Sequence, residues 1–592
     1  MKLKKINIFE KLINWIHDNS SEKQFLIFAS ILVGLSAGIA AVILKLFVYF
    51  IRNYLVEDYL LLFNYKYIYL LLPLVGIGIT ILFVKLVLKH PVERGSSVIL
   101  FSIAKKSSFL PFQQIYSHII TSGLTVGFGG SAGLESPIVN TGSAIGSNFA
   151  RTYKLNYKDR TLLLAAGAAG GIAGAFNAPI AGVLFALEVL LVDISISAFI
   201  PLLIAAASGA LMSKILLNDS GLLFFRLKQP FDYHNVPYYI ILGLFAGLIS
   251  LYYVNFFDKV ESKFIKLKST IGKWILGGII LGCLYAVFPT LFGEGYESIK
   301  NLSELKSGEL FKNSIFSNFI TTEWLLLLFI SLTFILKALA TGITLGIGGN
   351  GGNFAPSLFV GAYLGFAFSY FLNLLGFGTL PVSNFTIVAM AGILSGVFHA
   401  PLTGIFLIAE ITGGYELIIP LMIVSSISYL IVKYFHPESL DVRKLKLRGT
   451  IVSENKDTSI LGKIEMKEAL ENDFTPIHYK ATLRQIVEQI KHSKRNTFPI
   501  IKKDKKLLGI IYLDDIREEM FNTDHYDSVT AKELMRKPTN VIQSNEDIFS
   551  IMKKFEESGQ WNLPVVNEKI YQGFLSKSSI LDKYRRELIK SV

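Results

Sequence analysis

The sequence predicts a polytopic α-helical membrane protein with inverted-repeat architecture and broken helices, followed by a cytoplasmic α/β domain of two tandem modules. Three observations lead to this fold class. First, the chain of 592 residues is 52% hydrophobic and contains many long apolar runs. Second, glycine and proline interrupt these runs in two matching halves, a pattern that points to a transport site. Third, the sequence after about residue 450 is charged and alternates between strand and helix patterns.

The net charge of +13 comes from lysines and arginines that are scattered over loops and termini. In a membrane protein this basic excess is typical of cytoplasmic flanking segments. Because the sequence shows no basic face with interleaved aromatic residues, we expect no nucleic-acid partner. The single cysteine, Cys283, lies in an apolar run, which excludes an intrachain disulfide and argues against a cysteine-based metal site. We therefore predict no metal.

Apolar segments of about 20 residues or more, enough to cross a bilayer, divide the chain into regions. A basic cytoplasmic N-terminal helix is predicted over 1–23. The transmembrane domain is predicted over 24–448, with repeat halves at 24–217 and 236–435, and a linker follows over 449–460. We expect both termini to be cytoplasmic and the domain to lie in the plasma (inner) membrane of a prokaryote.

The repeat is visible in two segments that agree in register at Phe, Ala, Pro, Gly and Glu. They are AFNAPIAGVLFALE at 175–188 and VFHAPLTGIFLIAE at 397–410. Upstream of each lies a small-residue helix and, before it, a glycine-rich turn that leads into a proline. We expect Glu188 and Glu410, at matching ends of the repeat helices, to have a structural role in capping or pairing.

The two glycine-rich turns, 127–137 and 346–356, have the physical properties of an anion site. A helix start leaves unpaired N–H groups and a partial positive charge, and preceding glycines let a ligand approach the backbone closely. Glu135 adds a carboxylate at membrane depth, where an ionisable group is costly and points to a function. The alternative is that these glycines only allow close helix packing.

Other motif matches are weak. Segments 34–38 and 129–133 match the hydrolase motif G-x-S-x-G, and 346–351 matches the dinucleotide-binding motif G-x-G-x-x-G. None of them has the soluble strand–turn–helix context that these motifs need, and no His/Asp pair accompanies the serines. We therefore predict that the protein is not an enzyme.

A second repeat occupies the soluble region. Segments 497–501 and 509–516 are matched by 562–566 and 573–580, and an amphipathic helix precedes each copy. This tandem unit resembles a pair of CBS domains, which we expect over 461–524 and 525–592.

With these motifs, the transmembrane region resembles the CLC family of chloride channels and chloride/proton exchangers. In that family three glycine-containing turns converge on the transported anion. Gly95–Ile99, with sequence GSSVI, corresponds to the first turn and keeps only its Gly-Ser. Gly133–Pro137, with sequence GLESP, corresponds to the second, and Gly352–Pro356, with sequence GNFAP, corresponds to the third.

The resemblance implies roles for individual residues. Glu135 would be the gating glutamate, whose carboxylate competes with the anion and swings aside when it is protonated. The Ser96 hydroxyl and the backbone amides of Asn353 and Phe354 would bind the anion, together with the turn residues Gly133 and Gly352. The resemblance also implies a homodimer with one pore per subunit, embedded in membrane lipid.

Two positions depart from the family pattern. The inner proton-transfer glutamate of the exchangers is replaced by Val189, which cannot carry a proton. The family's S-x-Y segment reads Ser439-Leu440-Asp441, so Asp441 is a candidate inner gate in place of a tyrosine. The interpretation is therefore chloride transport of the channel type. The alternatives are a chloride/proton antiporter with a non-standard proton path and, less favoured because Ser96 is kept, a fluoride-selective member.

Some CBS pairs bind adenosine nucleotides through an aspartate that follows the second strand and holds the ribose. Asp515 fits that position in the first module, Ser579 occupies it in the second, and Tyr512 replaces the usual threonine. Asp515 and Thr497 are the candidate nucleotide-binding residues. An adenosine nucleotide at the CBS pair is the one cofactor that this resemblance implies. The alternatives are a purely structural dimeric module and a membrane sensor that reports nucleotide levels.

Overall fold

The computed structural model describes residues 13, 15–16, 18–57, 68–191, 196–217, 229–447, 461–462, 464 and 466–591. The chain divides into two compact units, Met1–Thr450 and Ile451–Val592. The predicted N-terminal helix over 1–23 lies mostly outside the described residues, and the predicted linker over 449–460 lies wholly outside them.

The first half of the membrane unit is built from helices of very unequal length. Three of them continue into π-helical turns, at Ile51–Glu57, Val84–Leu88 and Ala186–Leu190. The helices are α1 (Glu22–Phe50), α2 (Leu72–Phe83), α3 (Ser97–Lys105), α4 (Gln113–Gly127), α5 (Glu135–Thr152), α6 (Tyr157–Phe176), α7 (Pro179–Phe185) and α8 (Ile196–Leu217).

The second half repeats this pattern of long and interrupted helices. Its helices are α9 (Val236–Lys266), α10 (Thr270–Val287), α11 (Tyr296–Ser303), α12 (Glu323–Gly346), α13 (Phe354–Leu374), α14 (Val382–Phe398), α15 (Pro401–Ile411), α16 (Ile418–Phe435) and α17 (Leu440–Leu447). Seven helical stretches in the described part of the chain are long and apolar enough to cross a membrane. The polar segment 295–318 between two apolar helices contains α11.

The two halves break their helices in the same way. Asn177 and His399, at the ends of α6 and α14, both take the left-handed conformation with φ of 57°. An alanine follows each, and a proline then starts the next helix, where its missing N–H costs no hydrogen bond. The repeat in the sequence is thus a repeat in backbone geometry.

Two glutamates join the halves reciprocally. Glu410, at the end of α15, accepts hydrogen bonds from the backbone amides of Ile180 and Ala181 at 3.0 and 2.8 Å. Glu188, just beyond α7, accepts hydrogen bonds from the amides of Leu402 and Thr403 at 2.9 and 2.7 Å. Each helix therefore ends at the start of the other, so these equivalent helices are antiparallel, as an inverted repeat requires. The expected structural role of both glutamates is confirmed.

The small-residue run at 165–174 belongs to a close helix crossing. A Cβ placed on Gly167 of α6 would lie 1.9 Å from the carbonyl oxygen of Gly142 on α5, and a Cβ on Gly142 would lie 2.1 Å from that of Gly167. Small residues let helix backbones approach closely in membranes. These glycines therefore serve packing, whereas the glycines of the turns below serve the site.

The second unit holds two three-stranded sheets of the same topology. In each, the first strand pairs parallel with the second, and the second pairs antiparallel with the third. The strands are β1 (Ile477–His478), β2 (Thr497–Ile501), β3 (Leu507–Tyr512), β4 (Ile542–Gln543), β5 (Asn562–Asn567) and β6 (Ile570–Ser576). The helices are α18 (Met466–Ala469), α19 (Leu483–His492), α20 (Ala531–Leu534), α21 (Ile548–Ser558) and α22 (Lys577–Ser591).

Candidate functional site

The two glycine-rich turns of the membrane unit pair with each other. The Gly133 amide donates to the Gly352 carbonyl at 2.9 Å, and the Gly352 amide donates to the Gly133 carbonyl at 2.8 Å. This antiparallel bridge brings the starts of α5 and α13 side by side. The two turns that the sequence analysis selected therefore form one structure.

A threonine from each half holds the turn of the other. The Thr344 hydroxyl accepts a hydrogen bond from the Ser131 amide at 3.1 Å, and the Thr125 hydroxyl accepts one from the Asn350 amide at 3.0 Å. Because both threonines are fully buried, these bonds satisfy backbone groups that water cannot reach. The turns are thus fixed by the symmetry of the repeat.

Three helix starts meet at one cavity of about 970 Å³. They belong to α3, α5 and α13, and each directs unpaired backbone amides toward the cavity end of its helix. The predicted residues that line this cavity, together with neighbouring turn residues, are Gly95, Ser96, Ser97, Glu135, Ser136, Gly352, Asn353, Phe354 and Asp441. We call this cavity the vestibule. Of the predicted set, Ser96, Glu135, Gly352, Asn353, Phe354 and Asp441 lie together there.

Glu135 is buried, with only 1% of its surface exposed. Its Oε2 accepts a hydrogen bond from the Ala355 amide at 3.3 Å, and its Oε1 accepts one from the Tyr296 hydroxyl. The carboxylate therefore lies at the N-terminal end of α13, where amides and helix dipole favour negative charge. It occupies the position that the sequence analysis assigns to an anion.

Gly133 has no room for a side chain because the carboxylate folds back over it. A Cβ on Gly133 would lie 2.2 Å from Glu135 Oε2 and 3.0 Å from the Ala355 amide nitrogen. This glycine therefore contributes to the site by the space that it leaves open.

A second carboxylate lies at the start of α3. Asp441 contacts the Ser96 hydroxyl and the backbone of Ser96 and Ser97. Its Oδ1 lies so close to the turn that a Cβ on Gly95 would come within 2.9 Å. Asn140 holds the same turn by donating to the Gly95 carbonyl at 3.3 Å. The hydroxyl predicted to bind an anion is therefore in contact with a carboxylate of the chain itself.

The vestibule is lined by charges of both signs. The cations are Arg94, Arg443, Lys444 and Lys446, and the carboxylates other than Glu135 and Asp441 are Glu93, Asp258, Glu261 and Glu438. Arg443 pairs with Asp258 and Lys444 with Glu261, each at 2.8 Å. Cations that line a cleft raise the local concentration of anions. The pairing of Arg443 and Lys444 moderates that attraction.

Aromatic rings pack together next to Glu135, and three of them, Phe185, Phe354 and Phe398, also line the vestibule. The ring of Phe354 lies 5.7 Å from that of Phe176, 6.3 Å from Phe185 and 5.5 Å from Phe398, between centroids. The Tyr296 ring lies 6.3 Å from Phe176. This apolar packing confines polar contacts of the carboxylate to a few defined donors.

The position of the missing inner glutamate, Val189, lies in the π-helical turn after α7 and packs, half-buried, against the main core. The neighbouring Glu188 is engaged with the start of α15. Neither side chain therefore lines the vestibule as the structure describes it.

Two tyrosines of the site were missed by the sequence analysis. Tyr296 donates to Glu135, and Tyr253, fully buried in α9, donates to the Asn353 side-chain oxygen at 3.1 Å. Tyr296 carries a weak signal, because it follows a Gly-Glu-Gly segment at the edge of an apolar run. Tyr253 has no such signal, since it lies in a helix rich in aromatic residues.

In the second unit, the candidate nucleotide-binding residues differ in their contacts. Asp515 accepts an ion-pair contact from Arg536 at 2.7 Å, while its other oxygen, Oδ2, is buried without a hydrogen-bond partner among the described residues. Thr497 is buried in β2 and pairs in register with Tyr512 of β3. Ser579 donates to the Ala469 carbonyl at 2.6 Å. Asp515 is thus the residue with unused hydrogen-bonding capacity.

Comparison with known proteins identifies both units. The family described as voltage gated chloride channel matches residues 86–433, and the CBS domain matches residues 466–522 and 531–586. The voltage-gated ClC-type chloride channel ClcB of Salmonella typhimurium is 30% identical over 329 residues, which cover 54% of this chain and 73% of the relative.

Two solved structures share the fold. A slow cyanobacterial Cl⁻/H⁺ antiporter aligns with a TM-score of 0.61 and 22% identity, covering 73% of this chain and 99% of the other. A CLC-type fluoride/proton antiporter aligns with a TM-score of 0.57 and 23% identity, covering 74% and 98%. The predicted fold class and family resemblance are confirmed. This multi-pass membrane protein belongs to the CLC family and carries a C-terminal pair of CBS domains.

Proposed function

We propose that the protein transports chloride across the membrane through the vestibule and that Glu135 gates this pathway. One observation carries the proposal: the Glu135 carboxylate accepts the Ala355 amide at the start of α13. An anion entering the pathway would use the same helix start, so carboxylate and chloride exclude each other. Protonation removes the negative charge that holds Glu135 there, and the vacated amides can then accept chloride.

The binding chemistry suits passage rather than capture. At the centre of the site the donors are a hydroxyl and backbone amides, which bind an anion without a fixed positive charge. Conduction needs binding that is favourable enough for entry and weak enough for release. The cations of the vestibule lie in the lining that leads to the site, where they attract anions electrostatically.

Channel-type conduction is the mode that we infer, because Val189 offers no proton acceptor at the inner position. The alternative is coupled chloride/proton exchange by a different proton path, and a less favoured alternative is fluoride selectivity. The structural relatives described above include antiporters for both ions, so the two alternatives belong in the same experiment. Retention of Ser96 is what favours chloride over fluoride.

The test is anion flux from proteoliposomes with simultaneous measurement of proton movement. We expect chloride efflux that rises at acid pH, without uphill proton movement driven by a chloride gradient. Glu135→Gln should give flux that no longer responds to pH. An unchanged pH response in Glu135→Gln would overturn the gate, and chloride-driven uphill proton transport would establish the antiporter instead. The same assay with fluoride in place of chloride tests the alternative of fluoride selectivity.

For the CBS pair we propose binding of an adenosine nucleotide at Asp515. The supporting observation is its buried Oδ2 without a partner among the described residues, which leaves an acceptor for a ribose hydroxyl. Titration of the full-length protein with ATP and AMP should raise its melting temperature, and Asp515→Asn should remove this effect. Equal melting temperatures with and without nucleotide would favour a purely structural module.

We further propose a homodimer with cytoplasmic termini in a prokaryotic plasma membrane. Light scattering of the detergent-solubilised protein should give twice the chain mass of 65.9 kDa. A fluorescent protein fused to the C-terminus should fluoresce in cells, as expected for a cytoplasmic end. A monomeric mass would contradict the homodimer, and a fusion without fluorescence would contradict the cytoplasmic C-terminus.

A further inference from the structure

Glu294 lies in a short turn of unusual backbone geometry. Gly293 and Gly295, on either side of it, have φ of 66° and 90°, a region that side chains other than glycine rarely adopt. A Cβ on Gly295 would also lie 2.4 Å from the ring of Phe359. This turn ends at Tyr296, the first residue of α11. Two glycines thus place one carboxylate two residues before the tyrosine that contacts Glu135.

The backbone of this turn is held by a fully buried lysine. Lys337 Nζ on α12 donates to the carbonyl oxygens of Gly293 at 3.1 Å and Leu291 at 3.4 Å. Lys45 Nζ on α1 donates likewise to the Gly174 carbonyl at 3.1 Å. Both lysines therefore donate these hydrogen bonds to backbone oxygens and act on Glu294 through their charge.

The Glu294 side chain itself has unused hydrogen-bonding capacity. The residue is half-buried, yet its Oε1 is shielded from water and has no hydrogen-bond partner among the residues that the structure describes. A buried carboxylate oxygen without a partner is costly, so such a group is usually explained by a proton, an ion or a function. Partial exposure of the residue leaves it a route to solvent.

The Tyr296 hydroxyl, two residues after Glu294, donates a hydrogen bond to Glu135, and the two carboxylates are near enough for their charges to interact with each other and with this hydroxyl. Glu135 lines the vestibule, whereas neither Glu294 nor Tyr296 does. Glu135 thus lines the proposed anion pathway and is also hydrogen-bonded to Tyr296, which lies near Glu294 in sequence and outside the vestibule lining. The groups that face Glu294 from the elements packed around it are Glu135, Tyr296, Lys45, Lys337 and Arg52, and Arg52 is paired with Glu297.

We infer that Glu294 is a second proton-binding residue of the gate and that it titrates as a coupled pair with Glu135. This inference rests on the proposed gating role of Glu135. Two interacting carboxylates release their protons in two steps that belong to the pair. While Glu294 is ionised, its charge opposes ionisation of Glu135 and favours the open gate. Each step is the binding or release of one proton at a carboxylate oxygen.

The experiment measures chloride flux from proteoliposomes with the same pH on both sides, from about pH 4 to about pH 9. For Glu294→Gln we expect the pH midpoint of flux to move about one unit toward acid, because the charge that opposes ionisation of Glu135 is gone. The pH response should also become steeper, since two coupled steps are reduced to one. An unchanged midpoint, or a shift toward alkaline pH, would overturn the inference.

Glu309→Gln is the matched control. Glu309 is an exposed carboxylate in the same connection, paired with Lys312 at 3.5 Å, and its variant should keep the wild-type midpoint. Glu294→Asp keeps the charge and should stay closer to wild type than Glu294→Gln. If Glu294 only supports the lysines structurally, Glu294→Gln and Glu294→Asp will both yield less folded protein, while the pH midpoint of flux of the remaining folded protein stays at the wild-type value. That result would overturn the inference.

The failure of the gate itself is distinguishable. If Glu135→Gln keeps a wild-type pH response, the proposed gating by Glu135 is wrong, and the coupled pair with Glu294 is wrong with it. If Glu135→Gln removes the pH response but Glu294→Gln leaves the midpoint unchanged, only the role of Glu294 falls.

Discussion

The hydroxyl of Tyr296, which does not line the vestibule, donates a hydrogen bond to the carboxylate of Glu135. Among the described residues, the Glu135 carboxylate thus has donors of different kinds. One is the Ala355 amide, which belongs to the anion pathway, and the other is a side chain outside it. The stability of the closed arrangement depends on both.

Tyr296→Phe should raise chloride flux at neutral pH. The variant keeps the ring that packs near Phe176 but removes the hydroxyl that donates to the Glu135 carboxylate. A hydrogen bond to a charged group contributes roughly 1.5–3 kcal/mol, so flux limited by the closed gate should rise about tenfold or more. Proteoliposome efflux at fixed pH measures this.

Tyr252→Phe is the control for that prediction, because the Tyr252 hydroxyl donates to the Ile335 carbonyl at 3.1 Å and does not contact Glu135. Equal flux in Tyr296→Phe and the wild type would mean that the amide alone holds the carboxylate.

Asp441→Asn should lower the chloride concentration needed for half-maximal flux from the vestibule side. The substitution keeps the shape of the side chain and removes a negative charge that contacts the Ser96 hydroxyl. We expect a change of several-fold, since a carboxylate at a helix start contributes about 1 kcal/mol through the helix dipole alone. Flux as a function of the chloride concentration on the vestibule side measures it.

Glu438→Gln removes a charge from the same vestibule lining, but Glu438 pairs with Lys446. A similar effect in both variants would show that net charge of the vestibule, and not the contact with Ser96, governs anion entry.

Gly133→Ala should produce flux that is insensitive to pH. The added Cβ would overlap Glu135 Oε2 and crowd the Ala355 amide, so the carboxylate cannot keep its closed position. The result should resemble Glu135→Gln in the same assay. Gly308→Ala is the control, because a Cβ there meets no atom within 4 Å. A normal pH response in Gly133→Ala would contradict the closed geometry.

The two glycine-rich turns were predictable from the sequence, but the side chains that contact Glu135 from elsewhere in the fold were not. The glycine-rich segments Gly127–Pro137 and Gly346–Pro356 indicate turns whose backbone leaves little room for side chains. The duplicated F-x-A-P segments reveal the repeat because identical residues recur in register. The contact of Tyr296 with Glu135 joins residues 161 positions apart. Only the packing of α11 against the rest of the fold produces it, and no local pattern encodes that packing.

Glu188→Gln and Glu410→Gln should destabilise the membrane unit by similar amounts. Each replaces a carboxylate that accepts two backbone amides with a side chain that has one acceptor oxygen and no charge. Loss of a helix cap costs roughly 1–2 kcal/mol. Thermal melting in detergent should show a lower transition for both variants.

Glu416→Gln, an exposed glutamate shortly after α15, should leave the melting temperature unchanged. A large loss for one of the two capping glutamates and none for the other would contradict the symmetry of the junction.

Asp547→Ala should loosen α21 in the CBS pair. Asp547 caps this helix by accepting the amides of Phe549 and Ser550 at 2.9 and 3.2 Å, and such a cap contributes about 1 kcal/mol. Hydrogen exchange of the segment 548–558 in the full-length protein should become faster. Glu556→Gln, an exposed change in the same helix, should not alter it.

The effect of this cap depends on pH in a known direction. Hydrogen bonds from Ser550 lower the pKa of Asp547 below its ordinary value. A lowered folded-state pKa contributes stability above the unfolded value of about 3.9, and that stability is lost as the pH falls through the folded value. The difference between Asp547→Ala and wild type should therefore shrink below about pH 4.

The strands and helices of the CBS pair lie close to their predicted positions. In a soluble domain, apolar residues recur every second position in strands and every three to four positions in helices, and both patterns are strong here. The position of Asp441 next to Ser96 was harder to foresee. It depends on where α17 begins after His436-Pro437, and one residue of slip would turn a different side chain toward the turn.

The junction formed by Glu188 and Glu410 limits how this protein can move. If one half rocked against the other, two helix starts would lose their acceptors at the same moment, and four backbone amides would be left bare in an apolar setting. We therefore expect the two halves to keep this junction intact during transport. Under the proposed gating by Glu135, opening requires only the rotation of that side chain and no movement of one half against the other.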